Sequence, residues 1–298
     1  MSGDSPLQKP EWLRVRSGAS EEFAQTAAIV KKYGITTICE DALCPNIGEC
    51  WRRKVVTFMI MGNLCTRNCG FCGIKNGVPA PIDPEEPTNV ASAIKELGLK
   101  YAVITSAARD DLPDAGASCY TNVIYKTREL SPETKIEILT PDFWSERKNI
   151  KIVTDAKPDV YGHNIEVIRR LYQAVKKPPS DYDMSIECLR LIKEIDPNII
   201  TKSGMMVGVG EEFDEVMETF EDLRKANVDI ITVGQYISPS ASHYPVIRYI
   251  TPEEFEKYRE EGFKMGFKEI KSGPLIRSSY GAGESYSTLC GIAQNQDT

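Results

Sequence analysis

Two groups of cysteines hold most of the chemistry open to this chain. Cys39, Cys44 and Cys50 form the first, Cys65, Cys69 and Cys72 the second, and Cys119, Cys188 and Cys290 stand alone. Six of the nine cysteines therefore fall between residues 39 and 72, a concentration that random scatter would rarely produce. In a reducing compartment such thiols point to metal ligation or catalysis rather than to disulfides. The spacing Cys65-x3-Cys69-x2-Cys72 puts three soft thiolates on one short loop. Three thiolates can hold three irons of a [4Fe-4S] cluster. With no fourth cysteine in the loop, one iron keeps an open position for a small molecule with hard or mixed donors. The alternative is a zinc knuckle, or three cysteines in a core. Zinc sites usually supply four ligands in CxxC-like pairs or include histidine, and here the nearest histidine is His163. The expected reading is iron–sulfur. Cys39-x4-Cys44-x5-Cys50 offers three further thiolates, enough for a second four-iron cluster that lacks one ligand.

The elements that must position these cysteines follow a regular alternation. Strands are expected at Val55–Met61, Tyr101–Thr105, Ile136–Thr140, Val160–Asn164, Ile199–Val207 and Ile230–Tyr236. Helices are expected at Glu21–Lys32, Thr88–Leu97 (capped by Thr88), Cys119–Leu130, Ser145–Thr154, Glu166–Val175, Ser185–Ile195, Glu211–Ala226 and Pro252–Met265 (capped by Thr251). The strands are continuous apolar runs, the pattern of strands covered on both faces. Six strands alternating with helices predict an α/β fold, a partial (β/α)6 barrel with N-terminal and C-terminal extensions. The expected division is an N-terminal extension at 1–54 carrying the early cysteines as loop, a barrel at 55–270, and a C-terminal extension at 271–298. In barrels of this type the carboxyl ends of the strands carry the site. No GxGxxG follows a strand, which weakens the dinucleotide-binding option.

Composition bounds the rest. The chain has 298 residues, 41% of them hydrophobic and 27% charged, and its formal net charge is −7. That excludes a disordered or collagenous chain and makes general nucleic-acid binding a poor expectation. No apolar run reaches the roughly 18–20 residues a membrane span needs. The N-terminus, MSGDSPLQKPEWLRVR, lacks the apolar core of a signal peptide. The expected setting is cytoplasmic.

A CxxxCxxC loop after the first strand of such a barrel resembles the radical S-adenosylmethionine superfamily, and Phe71 between the last two cysteines fits it. Both triplets in this order, together with KSGMMVGVGE (202–211), GQYISPSASHYPVIRYITPEEF (234–255) and SGPLIRSSYGAGE (272–284), resemble the lipoyl synthase family over nearly all of residues 35–284. The resemblance implies a sulfurtransferase with two [4Fe-4S] clusters and S-adenosyl-L-methionine. The Cys65, Cys69 and Cys72 cluster would reduce the bound sulfonium and release a 5′-deoxyadenosyl radical. That radical would remove hydrogen from C6 and then C8 of an octanoyl chain. The Cys39, Cys44 and Cys50 cluster would be consumed as the sulfur donor. In this family a serine of the RSSY element is that cluster's fourth ligand; it is carried here to Ser279, with Ser278 as the lesser option. Implied partners are an octanoylated lipoyl carrier protein or domain, a low-potential electron donor and an iron–sulfur carrier that rebuilds the consumed cluster, with no nucleic acid and no membrane.

Other positions carry less. Phe71, Ser106, Asn164, Arg170, Lys202 and Tyr236 are the expected cofactor contacts, Phe71 by the resemblance and the other five each weighed against an ordinary barrel-rim role. Gln235 and Tyr182 are lesser candidates. His163 reads first as a buried structural histidine, and His243 lies in a loop that can cover the site. Cys119, Cys188 and Cys290 read as packing residues, and Arg52, Arg53 and Lys54 as a solvated basic run. The family usually shows an acidic residue where this chain has Ala107 and Ala108, which leaves Asp110 or Asp111 as substitutes. Two rivals remain at this point: a biotin-synthase-like enzyme acting on a free small molecule, and a zinc-stabilised binding module.

Overall fold

The computed structural model describes residues 8–15 and 20–292. The expectation of no leader therefore rests partly on residues outside the described ones (1–7 and 16), as does the far end of the C-terminal extension, 293–298. The N-terminal region opens with α1 (Glu21–Lys32), capped by the Ser20 hydroxyl. Then follow the two-residue strand β1 (Thr36–Thr37) and two short helices, α2 (Ile38–Asp41) and α3 (Ile47–Arg52). The early cysteine segment is thus largely helical rather than loop. α1 docks onto α3 through Phe23 stacked on Trp51 at 5.4 Å and the Thr26 hydroxyl donating to the Trp51 carbonyl.

Strand β2 (Thr57–Ile60) begins the repeating part, and the cysteine loop after it is framed by a two-stranded pair, β3 (Leu64–Cys65) and β4 (Lys75–Asn76). The alternation continues through α4 (Glu86–Leu97), β5 (Tyr101–Ser106), α5 (Ala117–Leu130), β6 (Lys135–Leu139), α6 (Arg147–Asp155) and β7 (Val160–Gly162). After α7 (Tyr172–Val175) come α8 (Tyr182–Ile195), β8 (Ile200–Val207), α9 (Phe213–Lys225), β9 (Ile230–Gln235), α10 (Pro252–Lys264), β10 (Glu269–Gly273) and α11 (Ala282–Leu289). The main sheet has the order β1-β2-β5-β6-β7-β8-β9-β10. All its neighbours are parallel except β1 on β2. β2, β5, β6, β7, β8 and β9 are the six strands expected from sequence. β1 and β10 extend the two edges, and those edges do not hydrogen-bond to each other, so the barrel is partial. β10 spans the expected boundary at residue 270.

β2 and β9 are buried along their whole length, which explains their uninterrupted apolar sequence. Helix α4 starts earlier than Thr88. Glu85 is its N-cap, because Pro87 suits the first turn, where its missing N–H costs nothing. Thr251 caps α10 as expected, in a reciprocal box with Glu254. The helix expected at 166–175 shrinks to a 3-10 turn, Arg169–Leu171, and α7. Glu166 instead takes a left-handed φ of 72° and bridges Met205 of β8. α11, in the expected C-terminal extension, packs against both β5 and β10 and so joins the two sides of the open sheet. Glu284 fastens it by accepting from Arg53 at 2.7 Å and Lys271 at 2.8 Å. No helix among the described residues is long and apolar enough to cross a membrane.

Candidate active site

A cavity of about 490 Å³ opens at the carboxyl ends of the strands. Thr105 of β5, Leu139 of β6, Asn164 beyond β7, Met205 and Met206 of β8 and Gln235 of β9 contribute to its wall. Cys39, Cys44 and Cys50 line it from the N-terminal region, Phe71 and Cys72 from the second loop, and Arg277 to Tyr280 from the C-terminal segment. The barrel rule thus places three distant stretches of chain around one space.

The second cysteine loop is gripped from several sides. Arg67 is buried and forks to two carboxylates, with Nε 2.8 Å from Asp110 and Nη1 2.5 Å from Asp142. Its ring-facing side lies 4.8 Å from Trp144. Burial works against the guanidinium charge, but the two carboxylates outweigh it and hold Arg67 protonated. Asp142 is correspondingly held well below the usual carboxylate range despite its burial. The Arg67 N–H donates to Cys65 Sγ at 3.3 Å. Gly70 N–H donates to the Val175 carbonyl at 2.8 Å, and Tyr244 N–H to the Gly70 carbonyl at 2.8 Å. His243 Nε2 reaches the Cys72 carbonyl at 3.1 Å, so the 238–244 segment does cover this loop. Burial pushes the Cys69 thiol up to about 11 and the Cys72 thiol up to about 12, with neighbouring cysteines of the loop adding to each.

The early triplet is built differently. Cys39 sits in α2, Cys50 in α3 and Cys44 between them, its N–H donating to the Cys39 carbonyl at 3.0 Å. Burial raises Cys39, and burial with Cys44 and Cys39 nearby pushes Cys50 up to about 12. The C-terminal segment closes on this triplet over a long stretch of sequence. Asn46 Nδ2 donates to the Leu275 carbonyl at 2.7 Å, and the Tyr280 hydroxyl to Glu49 at 3.0 Å. Two glycines permit that approach. A Cβ on Gly234 would stand 2.1 Å from the Ile276 carbonyl oxygen, and one on Gly204 would stand 2.8 Å from the Ser278, Asn164 and Thr232 oxygens. Asn164 Nδ2 donates to Ser278 Oγ at 2.7 Å, while Asn164 Oδ1 is buried without a partner. Ser279 lines the cavity, and its hydroxyl has no hydrogen-bond partner among the described residues.

The donor set fits iron–sulfur clusters: two triplets of soft thiols, with the Ser279 hydroxyl on the same cavity wall as the early triplet. Among the described residues no three His, Cys, Asp or Glu side chains converge to hold a single metal ion.

Of the expected cofactor contacts, Phe71, Asn164 and Tyr236 line the cavity. Ser106, Arg170 and Lys202 do not. Ser106 Oγ accepts from the Tyr120 hydroxyl at 2.8 Å. Arg170 is exposed and forks to Glu215 at 2.7 and 2.8 Å. Lys202 stands near the start of β8, where its ammonium is buried against Glu137 at 2.7 Å, so its strand position sends it away from the site. Cys65 and Cys69 also lie outside the cavity wall. His163 is structural: its ring bonds the Thr140 carbonyl at 2.9 Å and Ser185 at 3.0 Å, and burial lowers it to about 4. Asp110 and Asp111 are committed to Arg67 and Arg109. Two charged lining residues escaped the sequence reading. Among the described residues Glu166, raised by burial, is the carboxylate on the wall, and Arg277, lowered by burial, is the cation. Glu166 follows Asn164 by two residues, a strand-end signal that the helix expectation obscured.

A family described as the radical SAM superfamily matches residues 59–223. A curated protein, "Lipoyl synthase" of Caldanaerobacter subterraneus subsp. tengcongensis, is 50% identical over 276 residues, covering 93% of this chain and 96% of that protein. Among solved structures, the FeFe-hydrogenase maturase HydG from Carboxydothermus hydrogenoformans aligns with a TM-score of 0.55 at 15% identity, over 89% of this chain and 77% of that one. Streptococcus suis SuiB aligns at 0.55 and 11%, over 96% and 61%. Both share the fold.

Proposed function

The chain belongs to the lipoyl synthase family of the radical SAM superfamily, and from that premise we propose how its residues divide the work of inserting sulfur at C6 and C8 of a carrier-bound octanoyl chain. Cys65, Cys69 and Cys72 hold one [4Fe-4S] cluster, leaving a coordination position for S-adenosylmethionine. Cys39, Cys44, Cys50 and Ser279 hold the second. When bound, the first cluster with S-adenosylmethionine supplies hydrogen-abstracting radical chemistry, and the second supplies sulfide.

The protein's own contribution is holding, orienting and shielding. Ser278 is engaged by Asn164, whereas Ser279 is free on the cavity wall, and this difference favours Ser279 as the oxygen ligand. An alkoxide is a harder donor than thiolate and suits iron less well, so Ser279 would hold its iron less firmly than the three cysteines hold theirs. Phe71, Met205 and Met206 give the wall an apolar stretch for an alkyl chain. Tyr236 donates to the Tyr244 carbonyl at 2.8 Å and so fixes the segment that covers Cys72 and keeps water from a reactive radical. Glu166 supplies a carboxylate on the side of Cys72 for the cationic, hydroxyl-bearing cofactor. An octanoylated lipoyl carrier is the substrate; a low-potential electron donor and an iron–sulfur carrier are the further partners the chemistry requires.

The observation that carries this reading is one cavity lined at once by the early triplet, Cys72 and Ser279. An anaerobic assay with octanoyl-lysine peptide, S-adenosylmethionine and a strong reductant tests it by product mass. Wild type yields the dithiolated peptide. Ser279→Ala cleaves the cofactor but makes little sulfur-containing product, while Ser278→Ala retains insertion. Equal product from Ser279→Ala and wild type contradicts the assignment.

A further inference from the structure

Among the described residues the cavity wall carries one carboxylate, Glu166, and one cation, Arg277, which shares that wall with Cys39, Cys44 and Cys50. The two fully buried guanidiniums among the described residues are matched, Arg67 by Asp110 and Asp142 and Arg109 by Asp111, whereas Arg277 is half-buried on the cavity wall. Arg277 has no ion pair among the described residues, and the hydrogen bond it makes runs from Nη1 to the neighbouring Ile276 carbonyl at 2.7 Å. It is also held in place. Ile276 is pressed against Gly234, where a Cβ would stand 3.4 Å from Arg277 Nη1. Leu275 is tied to Asn46, and Tyr280 to Glu49. A half-buried cation that lines a cavity without a counter-charge is favoured when an anion occupies that cavity. The side chains of the wall beside it offer no carboxylate. Thiolates and an alkoxide around a four-iron core would supply the anion.

We propose that Arg277 is the charge-balancing residue of the early-triplet end, a fixed cation that stabilises the anionic cluster held by Cys39, Cys44, Cys50 and Ser279. The inference rests on the assignment of those four ligands. Beside the second loop Arg67 is offset by Asp110 and Asp142, and the buried Lys176, bonded to the Tyr172 hydroxyl, is a cation that acts on Cys69. At the early site Arg277 is the cation on the cavity wall. Net charge around a cluster sets both its hold on iron and its reduction potential. The early site therefore keeps its core against loss while the serine-bound iron stays exchangeable, and it accepts an electron more readily than it would without Arg277.

The test uses the full chain with Cys65, Cys69 and Cys72 changed to Ala, so that the early site alone is loaded, then Arg277→Gln and Arg277→Lys in that background. Iron per chain, iron release to a chelator and a spectroscopically followed redox titration are read for each. Arg277→Gln is expected to release iron about 10-fold faster or more and to show a lower midpoint potential. Arg277→Lys, which keeps the charge, is expected to stay near the parent in both. Parent-like release and potential in Arg277→Gln overturn the proposal. So does an Arg277→Lys site as labile as Arg277→Gln, because shape and not charge would then matter. If the parent itself binds no four-iron cluster, the ligand assignment fails, and the inference with it. Should Arg277→Gln unfold, the Arg277→Lys potential decides.

Discussion

The two cysteine triplets are held in opposite ways. The 65–72 loop is a local structure, clamped to the ends of β5 and β6 by one buried arginine and covered by the 238–244 segment. Its three thiols come from eight consecutive residues, and on the proposed assignment its missing ligand would be left to a cofactor. The early triplet is incomplete in its own segment. On the same assignment its fourth donor would come from a C-terminal stretch docked through Asn46, Glu49 and Arg53. The difference suits the proposed division of labour: a site that would initiate many turnovers benefits from rigid enclosure, while a site whose cluster would be consumed benefits from a ligand that separate elements can bring and release.

The largest test of that contrast is removal of ligands. Cys69→Ala is expected to abolish both cofactor cleavage and sulfur insertion. Cys44→Ala is expected to abolish insertion while cofactor cleavage persists; separate quantification of 5′-deoxyadenosine and thiolated peptide distinguishes them. Loss of cleavage in Cys44→Ala would break the division of labour.

Next in size is the clamp. Arg67→Met leaves Asp142 buried without its partner, and removing one member of a buried pair costs about 3–5 kcal/mol. Denaturant unfolding should show that loss, with iron retention at the 65–72 loop falling before that at the early site.

Acid should act first on the same half of the molecule. His163 packs beside Thr140 and Ser185, near Asp142, and its imidazole titrates at about 4 when folded against about 6.5 in the unfolded chain. Between those values the unfolded chain binds the extra proton, so stability falls as pH drops from about 6.5 to 4. The loss is bounded by about 3 kcal/mol. Above pH 6.5 the effect vanishes. His163→Gln should flatten that slope in unfolding free energy measured against pH. Asp142 contributes in the same sense but only at lower pH, since its folded carboxyl lies below the ordinary range.

The smallest expected effect lies at the long-range joint. Glu284→Gln removes ion pairs to Arg53 and Lys271 that are partly solvated, worth less than about 1 kcal/mol. Global stability should barely move, whereas iron loss from the early site should quicken. Equal effects of Glu284→Gln on both sites would erase the contrast between local clamp and distant joint.

How far the sequence could be read follows the same division. The six central strands were legible because each is a continuous apolar run that both faces bury, and α10 because its Thr251 cap and its periodicity agree. The 65–72 triplet was legible because its ligands are neighbours in sequence. β10 and α11 were not: β10 is a short strand of mixed polarity that gains its place by pairing with β9, and α11 is fixed by Tyr101, Arg53 and Lys271, which no local pattern names. Lys202 misled because a lysine near a strand end was read by the rim rule, while its position early in β8 turns it into a buried pair with Glu137. Ser279 was reachable through family resemblance, and Arg277 and Glu166 emerged from the cavity itself.

The account depends on a sulfur source inside the protein. Clusters reconstituted with 34S-sulfide, followed by a single turnover on octanoyl-lysine peptide and mass analysis, test it most directly. Both inserted sulfurs are expected to carry the heavy isotope, and the label should vanish from product when Cys39, Cys44 and Cys50 are replaced by Ala. Product made with unlabelled sulfur, or labelled product from the variant lacking the early triplet, would contradict it.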